Sequence, residues 1–154
     1  MSEAQQPMFS IEKIYVKDLS LEVPGGPQTF MQPEQPQLEI QLDQQSQRVN
    51  EFLFEVTLVI TVTAKRDDKT LFLVEASQSG VFQIRNVPEA EMAHVLGIVC
   101  PNVLFPYARE TVSDVINRAG FPPVLLAPVN FEALFQQRAA QASQPAGPRI
   151  EVAH

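Results

Sequence analysis

The spacing of apolar positions changes once along this chain. Up to Ile84 it is close to two, the repeat of a half-buried strand; after Pro88 it is three or four, the repeat of a helix face. Across 9–23, Phe9, Ile11, Tyr15, Leu19, Leu21 and Val23 share one parity. Ile14, Val16, Asp18, Ser20 and Glu22 share the other, which turns acidic toward its end. Across 37–47, Leu38, Ile40 and Leu42 alternate with Glu39, Gln41 and Asp43. The strongest alternation spans 50–65, where Phe52, Phe54, Val56, Leu58, Ile60, Val62 and Ala64 oppose a Thr-rich set that includes Glu55. That β-branched density suits a pleated surface. Residues 70–84 return as a fourth strand after the turn Arg66-Asp67-Asp68-Lys69. If Phe72, Val74 and Ala76 are to share a buried face with Val62 and Ala64, the connecting loop holds an odd number of residues. Leu71, Leu73 and Glu75 then face outward; an even loop would bury Glu75 unpaired.

The connection 24–36 carries four prolines and the Gly25-Gly26 pair, so it cannot extend a ladder. It strands Phe30 and Met31 in a loop long enough to be functional. After Pro88, 89–99 reads as a short helix ending before Pro101, because the residue before a proline avoids the α region. A second helix is predicted over 103–118, with Pro106 in its first turn, a stripe of Leu104, Ala108, Val112, Val115 and Ile116, and Gly120 as its C-cap. A Pro-rich loop follows. Asn130 then caps a last helix, 131–140, whose apolar side is Phe131, Leu134 and Phe135. Residues 1–8 are expected to be flexible, 9–140 to form one domain and 141–154 to be a disordered tail. Strands followed by helices imply an α+β fold, with an antiparallel sheet covered on one face.

At 154 residues, 45% apolar and 19% charged, the chain can bury one real core. A net charge of −7 argues against nucleic acid and against an anionic membrane surface as partners. Cys100 is the single cysteine, which excludes an intramolecular disulfide and favours a reducing compartment. The opening MSEAQQPMFSIEK has no signal-peptide pattern, and the apolar runs fall short of the roughly 20 residues of a membrane span, so a cytoplasmic location is expected. No catalytic constellation emerges. Nothing forces Cys100 and His94 together as nucleophile and base; two histidines and one cysteine have no ligand spacing; and the glycines form no phosphate loop. A non-enzyme without metal or cofactor is expected. The apolar stripes and loop residues exceed what one thin sheet buries, which points to an interaction surface and to self-association.

The segments IYVKDLSLEVP, EVTLVITVTA, FLVEASQSGVF and MAHVLGIVCPNVLFPYARETVSDVINRAGFPPVLLAPVNFEALF carry a resemblance. Together they are similar to the SecB family of bacterial protein-export chaperones over nearly the whole expected domain. The resemblance implies a four-stranded antiparallel sheet with helices on one face, assembled as a homotetramer, a dimer of dimers. It implies a nucleotide-independent cytosolic holdase that keeps unfolded secretory precursors translocation-competent and delivers them to the motor ATPase SecA. By the same resemblance Leu38, Ile40, Leu42, Phe131, Leu134 and Phe135 line a client groove edged by Phe30, and Asp18, Glu22, Leu73 and Glu75 form an acidic SecA-binding patch. Glu34 stands where relatives commonly carry a Trp in the crossover loop, and the tail PRIEVAH is not the acidic tail of some relatives. A relative dedicated to a narrow partner, such as a toxin–antitoxin system, is the alternative. A thioesterase-like enzyme is the third reading, and it lacks an acid/base pair.

Overall fold

Each alternating segment is a strand in the computed structural model, which describes residues 6–32 and 35–143. The strands are β1 (Met8–Glu22), β2 (Gln37–Arg48), β3 (Leu53–Arg66) and β4 (Lys69–Arg85). They form one antiparallel sheet in the order β1-β4-β3-β2. Three strands follow one another as hairpins and β1 lies beside the last, a Greek-key order. The chain must therefore cross the end of the sheet between Glu22 and Gln37. It does so through a 3-10 helix, Gly26–Met31. The Arg66 guanidinium holds this crossover by donating to the Thr29 and Gln32 carbonyls, each at 3.4 Å. The expectations for 1–5, Glu34 and 144–154 lie outside the described residues.

Two expectations about register are corrected. The β3–β4 connection is an even, two-residue turn, Asp67-Asp68, with φ of 52° and 64°. Positive φ at both central positions gives the turn the twist of the strands it joins. Parity is restored by a bulge: Ala64 pairs with Phe72 but Lys65 pairs with Thr70, leaving Leu71 unpaired and buried instead of outward. Val62 opposite Val74, with Glu75 exposed, is the pairing expected.

The second correction concerns β1, whose register breaks at Glu12 and at Lys17. Phe9 and Ile11 pair with Ile84 and Phe82, Ile14 and Val16 with Gly80 and Gln78, and Leu19 and Leu21 with Ala76 and Val74. Each bulge inserts one residue and shifts the parity. All six apolar residues thereby reach the helix side, whereas Tyr15, Asp18, Ser20 and Glu22 lie on the other. Simple alternation had put Tyr15 with Leu19, and Ile14 with Asp18.

The helices are α1 (Glu89–His94), a π-turn (Val95–Val99), α2 (Cys100–Arg118) and α3 (Phe131–Ser143). No break precedes Pro101: Val95, Val99 and Cys100 all keep right-handed helical dihedrals. The Cys100 N–H reaches back five residues to the Val95 carbonyl, a local widening that carries the chain past the proline. Pro101 has no N–H for the turn behind it. There the Gly97 carbonyl accepts from Gln44 Nε2 on β2, at 3.2 Å. Pro106 consequently lies inside α2 and not in its first turn. Gly120, at φ +94°, ends this helix in a Schellman motif, with Phe121 N–H on the Ile116 carbonyl (3.2 Å) and Gly120 N–H on that of Asn117 (3.1 Å). Asn130 Oδ1 accepts from Ala133 N–H at 2.9 Å and caps α3.

Leu104, Ala108, Val112, Val115 and Ile116 of α2 close over the inner side of β3 and β4, where Leu58, Ile60, Val74 and Phe82 are fully buried. One helix covers two central strands. The edge strands β1 and β2 keep apolar inner rows that this core covers only in part. Among the described residues no helix is long and apolar enough to cross a membrane.

Candidate functional site

The inner row of β2 runs Leu38, Ile40, Leu42, Gln44, opposite Ala64, Val62, Ile60 and Leu58. Its beginning is open, with Leu38 41% and Ile40 39% exposed, while Leu42 and Gln44 are half-buried. At the open end stands the crossover. Phe30, 52% exposed, packs its ring 5.1 Å from Phe121, which in turn lies 4.7 Å from buried Phe72. At the other end Gly97, bonded to Gln44, admits the Phe135 ring so closely that a Cβ at Gly97 would stand 2.8 Å from Phe135 Cδ2. His94 meets the same ring edge-on at 5.8 Å. Gln44, Ser46, Ala93, Leu96, Phe135 and Arg138 line a shallow cleft there. The structure thus strings Phe30, Leu38, Ile40, Leu42 and Phe135 along one edge of the sheet, with half-buried Leu134 beside the core.

Phe131 does not belong to that track. It is 1% exposed and packs edge-on against Phe105 at 6.0 Å. Its ring seats the start of α3 on α2 and is core. Sequence periodicity could not separate Phe131 from Phe135, because positions four apart share one helix face.

On the opposite, outer side of the sheet, Asp18, Ser20 and Glu22 of β1 pair with Ser77, Glu75 and Leu73 of β4, and these with Val59, Thr61 and Thr63 of β3. The structure brings Asp18, Glu22, Leu73 and Glu75 together. Leu73 is half-buried and the three acids are exposed. Asp43 and Glu39 on β2 extend the acidic surface past Val59 and Thr63; both were visible as the polar phase of that strand. Lys65 lies 3.8 Å from Glu39. Sequence reasoning missed Glu55, on which Tyr15, Lys17 and Gln47 converge from two other strands.

Cys100 is buried, and burial pushes its thiol up to about 12, far from a thiolate at neutral pH. Among the described residues no three His, Cys, Asp or Glu side chains are placed to hold a metal ion.

A thin sheet with a helical backing, open apolar rows at its edges and an acidic outer face is the build of a binding protein, with two chemically distinct surfaces. A family model described as preprotein translocase subunit SecB matches residues 2–142. The protein-export protein SecB of Chromobacterium violaceum is 60% identical over 146 residues, covering 94% of this chain and 97% of its own. That of Nitrosospira multiformis is 61% identical over 147 residues, covering 96% and 92%. Among solved structures, a SecB-like chaperone of Mycobacterium tuberculosis in complex with an antitoxin peptide matches with a TM-score of 0.63 at 15% identity, over 79% of this chain and 91% of that one. This last likeness concerns the fold alone. The chain belongs to the SecB family of protein-export proteins.

Proposed function

We propose that the chain works as an ATP-independent cytosolic holdase that captures unfolded secretory precursors on its apolar edge and hands them to SecA through its acidic face. The observation that carries this reading is the opposite chemistry of the two sides of one sheet. Leu38 and Ile40 stay exposed on the inner side, while Asp18, Glu22 and Glu75 surround Leu73 on the outer side. Unfolded chains share apolar side chains and unpaired backbone, so an extended apolar track with a free strand edge binds them without reading sequence. Phe30, Leu38, Ile40, Leu42 and Phe135 form that track, with Leu134 beneath it and Phe131 holding α3. An acidic surface with an apolar centre suits a cationic segment of SecA, and the attraction weakens with salt. Phe9, Ile11, Val16, Leu19 and Leu21 leave an exposed apolar row on β1, which supports self-association into a homotetramer. Its work is binding and not catalysis, and it uses no cofactor. Relatives at 60% identity that are protein-export proteins favour this reading over a dedicated antitoxin partner.

The test is capture of a slowly refolding, urea-unfolded protein without ATP, with the mass of the complex read by light scattering. A tetramer-sized complex that suppresses refolding is the expected result; a tetramer that ignores unfolded chains refutes the holdase reading. Glu75→Lys should weaken SecA binding and leave client capture intact. Equal loss of both would refute the division between faces.

A further inference from the structure

Glu55 lies on the outer face in β3, opposite Gln47 of β2 and Val81 of β4. Its Oε1 accepts from Lys17 Nζ at 2.7 Å and from Gln47 Nε2 at 3.0 Å, and its Oε2 accepts from the Tyr15 hydroxyl. Tyr15 and Lys17 belong to β1, so both side chains reach over β4 to meet it. Beneath Tyr15 the hydroxyls of Ser79 and Thr57, both buried residues, bond to each other at 2.7 Å. The Glu55 side chain is 12% exposed and that of Lys17 47%. The hydrogen bond from Lys17, then that from Tyr15, hold the Glu55 carboxyl below the usual range, and the same contact holds the Lys17 ammonium above its own.

The position of Lys17 gives this cluster its meaning. Lys17 is the extra residue of the second β1 bulge, immediately before Asp18. In such a bulge two successive side chains leave on the same side of the sheet. A lysine therefore emerges on the acidic face, next to the first of its carboxylates. Lys65 on β3 faces Glu39 of β2, and Lys13 stands farther along β1, on the far side of Tyr15 from Asp18. Lys17 is the cation next to Asp18, and Glu55 draws it away.

We propose that Glu55 is a specificity-determining residue of the acidic face: by sequestering Lys17 it removes the internal counter-ion of Asp18, Glu22 and Glu75 and leaves them free for a cationic polypeptide. The inference rests on the hand-off reading above. Without Glu55 the flexible ammonium is released within a few ångströms of Asp18, where it competes with the cations of the partner.

The experiment titrates SecA onto the assembled protein for the wild type, Glu55→Gln, Lys17→Met, the double variant and Glu75→Lys, with capture of an unfolded client confirming that each is folded. Glu55→Gln should bind SecA about three- to tenfold more weakly at low salt, and the gap should narrow as salt rises. Lys17→Met should bind at least as tightly as wild type. The double variant should return to within about twofold of wild type, because the competing cation is gone. A loss that persists in the double variant would mean that Glu55 merely holds the bulge in shape, and sequestration would be wrong. Wild-type binding by Glu55→Gln would overturn it equally. If Glu75→Lys binds as the wild type does, the acidic face is not the docking surface, and the hand-off reading falls together with this inference.

Discussion

At Gly80 the side chain of Leu104 brings α2 hard against the sheet. It pairs with Ile14 on one side and Val56 on the other, under Leu104. A Cβ at this position would stand 2.8 and 2.9 Å from Phe82 Cε2 and Cζ, and 3.0 Å from Leu104 Cδ2. Gly80→Ala therefore sets two effects against each other. Restricting the unfolded backbone stabilises by about 0.4–1 kcal/mol. Forcing a methyl group into a closed core costs about 1–3 kcal/mol. Neither neighbour can swing away: Phe82 and Leu104 are fully buried, and the Phe82 ring stacks on Phe9 with centroids 5.5 Å apart. Overpacking wins, with a net loss of about 1–2 kcal/mol. Urea unfolding at fixed protein concentration measures it, because self-association adds to apparent stability. A cycle with Leu104→Ala locates the strain. Leu104→Ala alone should cost about 2–5 kcal/mol by leaving a cavity. The added methyl fills part of that cavity, so the double variant should lose at least about 0.5 kcal/mol less than the sum. A neutral or stabilising Gly80→Ala would refute the close seat of α2. Strict additivity would put the clash on Phe82 alone.

Three further outcomes can be checked directly. Cys100, buried and with its thiol pushed up to about 12, should resist a thiol reagent at pH 8 in the native protein and react fully in denaturant. Asp68→Gly should raise stability by about 0.5 kcal/mol in the same urea assay, because the turn holds Asp68 at φ 64°, a region costly to most L-residues and open to glycine. The Glu55 carboxyl is held low in the folded state, so its contribution is complete above the unfolded value of about 4.3 and is lost as pH falls through the lower folded value. The stability gap between wild type and Glu55→Gln should thus be constant above about pH 5 and close in more acidic solution; a gap that widens there would reverse the sign of the argument.

Much of this protein is written locally. Alternation in 37–47 and 50–65, Asn130 ahead of Phe131 and Gly120 behind Arg118 depend on one strand or one helix end, and each became the element it implied. The α+β class follows from their order; Glu39 and Asp43 were visible as the polar phase of 37–47, and Asp18 and Glu22 as the acidic end of one parity of 9–23. What the tertiary structure decided was phase and burial. The apolar residues of β1 stand at 9, 11, 14, 16, 19 and 21, with gaps of two and three in turn, and only pairing with β4 makes each gap of three a bulge at Glu12 or Lys17. A strand on its own has no preferred face; the buried row of its neighbour selects one. The same holds for Leu71, pulled inward by the register of Val62 with Val74, and for Pro101, where Gln44 of a distant strand accompanies a widened helix turn in place of a break. Phe131 and Phe135 have the same helical phase, and they part only because one meets Phe105 in the core and the other meets Gly97 at the sheet edge. Periodicity ranks positions by face, and burial depends on what the rest of the chain puts opposite them.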